Sequence, residues 1–154
     1  MKGHPEIIAA LNEVLRAELT ASQQYMLGGA RMGHAGFAKL AMHLAAESLS
    51  EFEHARLATA RVLFLDGLPD GRPLSEPVSE SSPMAQFRAD LALESAHATR
   101  LNSALALTRK LGDHGSADLL EKILVSTEEH VDWLETQLDL MEKLGEGLYL
   151  AQQM

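Results

Sequence analysis

Two tetrapeptides share a pattern, Glu-Phe-Glu-His at 51–54 and Thr-Glu-Glu-His at 127–130. On a helix, a carboxylate three residues before a histidine lies on the same face as the imidazole, so one metal ion can reach both. Glu51 and His54 have this spacing in full. His130 has it only in part, because Thr127 stands where the carboxylate would be. Two further acids join them. Glu18 falls on the stripe of Leu11, Leu15 and Tyr25, and Glu94 on that of Phe87, Leu91 and Leu101, while His130 shares one with Ile123 and Leu134. A carboxylate aimed into apolar surroundings is costly unless it is paired, hydrogen-bonded or bound to a metal. The chain has no cysteine, which excludes disulfides, thiolate zinc sites and iron–sulfur clusters and leaves oxygen and imidazole as donors.

The elements that must position these groups are legible from periodicity. From Pro5 to about Arg31, Ile7, Ile8, Leu11, Leu15, Leu19 and Met26 recur at spacings of three, four and seven, which predicts a helix with one buried stripe. Pro5 suits its first turn. Glycines crowd residues 28–36, and Gly-His-Ala-Gly at 33–36 reads as a tight turn. A second helix is expected from about Phe37 to Leu65, a third from about Pro83 to Leu111, and a fourth from the Gly-Asp-His-Gly turn at 112–115 to about Leu144. Gly145 and Gly147 end it, leaving a tail with room for one or two more turns. Residues 66–83, rich in proline and serine, form an unusually long connection. No run reads as a strand. The expected class is all-α, a single domain over 1–154 of the ferritin-like four-helix kind: a long crossover between helices two and three and a short fifth C-terminal helix.

Register supports a meeting of the polar groups. Glu18 and Glu51 lie about 16 residues on either side of the first turn, roughly 25 Å down their helices at 1.5 Å per residue. Glu94 and His130 stand about 18 and 17 residues from the second turn, again level with each other. Di-iron carboxylate bundles take one Glu from each of two helices and Glu-x-x-His from each of the others. Counted that way, Glu18, Glu51, His54, Glu94 and His130 are present and Thr127 occupies the sixth place.

Composition narrows the partners. With 46% hydrophobic and 23% charged residues the chain is ordinary globular protein. A formal net charge of −9 and scattered basic residues argue against nucleic acid. No segment reaches the ~20 apolar residues that span a bilayer, and the N-terminal run is broken by Asn12 and Glu13, unlike a secretory leader. A cytoplasmic location is expected.

The stretches MKGHPEII, LRAELTASQQY, ESLSEFEHA, RVLFLDGLP, RADLALE and EEHVDWLETQLDLMEKLG together resemble the bacterioferritins over essentially the full length. The resemblance implies a hollow shell of 24 subunits built from dimers and storing oxidised iron. It also implies a ferroxidase di-iron centre in each subunit and haem between subunit pairs. Glu18, Glu51, His54, Glu94 and His130 match the family's iron ligands, and Tyr25 matches a tyrosine beside the centre with a candidate catalytic role. Two positions depart from the pattern. Thr127 replaces a glutamate that bridges both irons, which implies weaker iron binding and slow oxidation of Fe(II). Phe52 replaces the methionine that ligates haem iron, so haem is not expected.

Three histidine-bearing features remain. His97 follows Glu94 by three residues, and rubrerythrins, a related ferritin-like family, use an extra carboxylate one turn after the corresponding glutamate. His97 is therefore either an additional ligand or a hydrogen-bond partner of a neighbouring carboxylate. His43 and Glu47, at i, i+4, read as a weak secondary cation site facing the shell interior. His4, His34 and His114 are expected at exposed ends and turns, and Trp133 in the core or an interface. The leading reading is an iron-storage subunit with an incomplete ferroxidase centre. The alternative is a structural subunit of a mixed shell whose ferroxidase and haem functions come from a second bacterioferritin subunit type. A DNA-protecting mini-ferritin is disfavoured, since such proteins build their site across a subunit interface.

Overall fold

The computed structural model describes residues 1–154 and contains five helices: α1 (Pro5–His34), α2 (Ala38–Phe64), α3 (Pro83–Lys110), α4 (His114–Leu144) and α5 (Glu146–Ala151). Helix α1 pairs with α2 and α3 with α4, and the two hairpins meet chiefly through α1 and α3. Local signals set the starts. Pro5 and Pro83 occupy the first helical positions of α1 and α3, where their missing N–H costs nothing. Ser82 caps α3 by accepting from the Ala85 amide at 3.1 Å, and Asp113 caps α4 through the Ser116 amide at 3.0 Å. No helix is long and apolar enough to cross a membrane.

Helix α1 runs three residues beyond the expected end, to His34, and passes through Gly28, Gly29 and Gly33. Gly29 serves close approach instead of a turn. A Cβ on Gly29 would lie 3.3 Å from the Leu44 side chain and 3.4 Å from the Ala41 carbonyl, so its absence lets α2 come near. The turn itself needs only Gly36, at φ 92°. His114, expected within the second turn, instead opens α4.

Apolar packing is divided along the bundle. One cluster gathers Ile7, Leu11, Val14, Val62, Leu65, Leu101, Leu120 and Ile123 at one end. Another gathers Tyr25, Met32, Leu40, Leu44, Phe87, Leu134, Leu138 and Met141 at the other, where Tyr149 of α5 joins it. Between them lies a buried polar layer made of Glu18, Glu51, Glu94, His97, Thr127 and His130.

The crossover is bound along α1. Asn12, Arg16, Thr20 and Gln24, each four residues apart, form one polar stripe. Asn12 donates to the Leu68 carbonyl at 3.0 Å and accepts from the Asp70 amide at 2.8 Å. Arg16 donates to the Arg72 carbonyl at 3.0 Å. The Thr20 hydroxyl accepts from the Leu74 amide at 2.9 Å, and Gln24 from the Val78 amide at 2.9 Å. The backbone groups of a long irregular segment thereby find partners without sheet or helix.

Candidate metal centre

Glu18 from α1 and Glu51 and His54 from α2 offer ligand atoms that all lie within 4.8 Å of one another. His54 Nδ1 stands 3.2 Å from Glu51 Oε2 and 3.6 Å from Glu18 Oε2. Both acids are fully enclosed, at 0% and 1% exposure. Burial first, then the charge of Glu18, pushes the Glu51 carboxyl up to about 8. Burial opposes a charge on His54, yet the nearby Glu18 carboxylate and the hydrogen bond to Glu51 prevail and raise the imidazole to about 10. Glu51 and His54 thus both hold protons more tightly than such groups ordinarily do. A metal ion entering here releases both protons, so its binding strengthens as pH rises.

A second group shares Glu51. With Glu94 of α3 and His130 of α4 it again offers ligand atoms within 4.8 Å of one another. His130 Nδ1 lies 3.2 Å from Glu94 Oε1, and the Tyr25 hydroxyl donates to the same oxygen. Burial, followed by the charge of Glu94, raises the Tyr25 phenol well above its ordinary value, so it remains a donor that fixes Glu94. Glu18 Oε2, Glu94 Oε2 and His130 Nε2 are buried without hydrogen-bond partners. Unpaired buried oxygens on acids that face one another are expensive in a folded protein. A divalent cation satisfies them, and the oxygen and nitrogen donors suit iron, manganese or zinc.

Thr127 is buried in the same layer, but its hydroxyl donates to the Ile123 carbonyl at 3.0 Å. It thus completes its own helix and adds no charge. His97 lies beside the first group. Burial pushes its imidazole down to about 4, so the ring is neutral. Its Nδ1 faces the Arg100 guanidinium, a donor, at 3.5 Å, which leaves the ring proton on Nε2, 2.7 Å from Glu18 Oε1. The proton-bearing nitrogen is the one aimed at the acid.

His43 and Glu47, read from sequence as a weak secondary cation site, lie directly beside the centre. Glu47 Oε2 is 3.6 Å from His130 Nδ1, and Glu47 Oε1 is 3.8 Å from His43 Nε2. The His43 ring stacks on Trp133 at 3.6 Å, and Trp133 also meets Phe87 edge-on, which makes Trp133 a partly buried packing residue. His4 caps α1 by accepting from the Glu6 amide, and His34 and His114 are exposed. Phe52 points outward and is 57% exposed.

Sequence reasoning missed Asp90. It is 1% exposed, and its Oδ1 accepts from Gln24 at 2.7 Å and Gln86 at 2.9 Å. Burial outweighs these donors and raises its carboxyl to about 6. The signal was present, since Gln86, Asp90 and Glu94 follow at four-residue steps along one helix face.

Five of the metal-type residues read from the sequence, drawn from all four long helices, thus converge on two ion-sized groups joined at Glu51. This is the architecture of a carboxylate–histidine centre in a ferritin-like bundle, and the family model for a ferritin-like domain matches residues 8–144. The chain is 46% identical over 152 residues to bacterioferritin BfrA of Mycobacterium tuberculosis, covering 99% of this chain and 96% of that protein. It is 46% identical over 151 residues to the bacterioferritin of Streptomyces coelicolor (98% and 90% covered) and 35% identical over 149 residues to that of Brucella melitensis (97% and 92%). The chain belongs to the bacterioferritin family.

Proposed function

We propose that this chain is an iron-storage subunit of bacterioferritin type, a single ferritin-like domain in the cytoplasm. Fe(II) is its substrate at an incomplete ferroxidase centre. The observation that carries the reading is the buried layer in which Glu18, Glu51 and Glu94 face one another with His54 and His130 between them. In this reading Glu18 and His54 hold one ferrous ion, Glu94 and His130 the other, and Glu51 bridges. The two ions together give up two electrons, which with two protons reduce dioxygen to hydrogen peroxide or hydrogen peroxide to water, and the ferric product passes to storage. His97 keeps Glu18 in place through its hydrogen bond, and Tyr25 does the same for Glu94.

Thr127 decides how well this works. Two ferrous ions bring four positive charges, and these three carboxylates return three negative ones. Within these ligands that leaves an excess of charge and no second carboxylate bridging the ions, and the missing bridge keeps oxidation slow. Stopped-flow oxidation of Fe(II) by the protein and by Thr127→Glu tests this directly. The variant is expected to be faster by roughly tenfold or more, the scale on which even supporting groups around a metal act. Equal rates would show that the absent carboxylate has no bearing on the chemistry.

The subunit is expected to assemble as dimers into a 24-subunit shell. Met42, Leu49 and Phe52 place exposed apolar surface on one side of α2, in keeping with contact between copies. Phe52 offers no donor atom to haem iron, so the dimer is haem-free, and a Soret band at about one haem per two chains would contradict this. Thr127 and Phe52 together support the second reading, a structural subunit in a mixed shell. Mass spectrometry of shells from the native source separates the two, because a mixed shell must contain another chain.

A further inference from the structure

The geometry points to Glu47 and His43 as the ligands that make good the carboxylate missing at Thr127, holding the second ion together with His130 and Glu94. This rests on the reading of the layer as a metal site and assigns the donors of its second position.

His130 Nδ1 faces two acids at once, Glu94 Oε1 at 3.2 Å and Glu47 Oε2 at 3.6 Å. Metal bonds of about 2.1 Å at tetrahedral angles set neighbouring donor atoms roughly 3.4 Å apart. The spacing around Nδ1 is therefore that of donors converging on one ion. His43, Glu47 and His130 also offer ligand atoms within 4.8 Å of one another. Two further observations indicate a ligand. His43 Nε2 is buried with no hydrogen-bond partner, and so is Glu94 Oε2, on an acid of 0% exposure. The stack on Trp133 holds the His43 ring in this orientation although no hydrogen bond does.

Glu47 also repairs the charge balance. With Glu18, Glu51 and Glu94 it makes four carboxylates for two divalent ions, the number the layer lacks when Thr127 alone is considered. The bridging role is not recovered, since Glu47 reaches His130 and not the Glu18 side. The second ion is accordingly displaced toward α2 and His43.

Anaerobic titration of the full-length assembled protein with Co(II), followed by visible absorption and calorimetry, tests the assignment. The native chain is expected to take two ions. Glu47→Gln, nearly isosteric and at a partly exposed position, and His43→Phe, which keeps an aromatic ring on Trp133, should each weaken the second ion by about tenfold or more. The first ion should be unchanged in both, and Glu18→Gln should weaken the first. Two ions bound with native affinity in Glu47→Gln and His43→Phe, or a single native ion that neither affects, overturn this inference and leave the metal centre standing. No binding by the native chain, or binding that Glu18→Gln does not alter, overturns the centre itself.

Discussion

At the scale of single residues, His97 shows how a metal-type side chain can brace a buried carboxylate through a hydrogen bond. Its neutral ring receives Arg100 on one nitrogen and presents a proton to Glu18 from the other. Replacing it by leucine strands a buried carboxylate oxygen and frees Glu18 to turn. His97→Leu is expected to weaken the first Co(II) ion by roughly 10- to 100-fold, and His97→Gln, which keeps a donor, to recover most of the loss. A ligand role predicts instead a changed cobalt spectrum in both variants. From sequence, the level placement of Glu18, Glu51, Glu94 and His130 followed from counting residues back to each turn, because helical rise is constant. For His97 a hydrogen bond to a neighbouring carboxylate was one of two readings open from sequence, but its tautomer was not legible because that depends on Arg100, one turn further on. Asp90 escaped for a related reason: its partners are amides, which leave no mark in a search for acid–imidazole pairs.

Among the elements, α4 depends on a cap that also joins the hairpins. Asp113 accepts from the amide and hydroxyl of Ser116 and from Arg61 of α2 at 2.7 Å. Burial disfavours its charge, but these donors prevail and hold the carboxyl below its ordinary value. With the folded value depressed, the stabilisation is complete above about pH 4, the unfolded value, and disappears as pH falls through the folded one. Asp113→Ala should cost about 1–2 kcal/mol at pH 7 and much less in strong acid, as urea unfolding at several pH values would show. A constant difference across that range would remove the charge from the account. The crossover's existence was legible from its prolines and length. Its path was not, because Asn12, Arg16, Thr20 and Gln24 look like an ordinary solvated helix face until the chain that covers them is in place. The glycines of α1 misled for a similar reason, since close helix approach and chain reversal select the same residue.

For the whole molecule, surface and layering matter more than any one contact. The row of Met42, Leu49 and Phe52 leaves α2 apolar on its outer side. Phe52→Glu should leave the subunit folded, with unchanged helix content, and shift sedimentation from large assemblies toward small ones. Retention of the native sedimentation profile would place the subunit contacts elsewhere. The fold class was legible because four periodic stretches, two short turns and one long connection admit few arrangements. Assembly is less legible, as an exposed aromatic names a contact and not its partner.

The separation of the two apolar clusters by a charged layer divides the bundle's rigidity. Its ends are close-packed plugs, and its waist is a layer of acids and imidazoles with several buried atoms left unpaired, which a cation would draw together. Loading Zn(II) should therefore slow amide hydrogen exchange near residues 18, 51, 94 and 130 and leave the ends almost unchanged. Ions bound at such a waist would come and go while the ends stay packed, which would leave the subunit compliant at its middle and stiff at its ends.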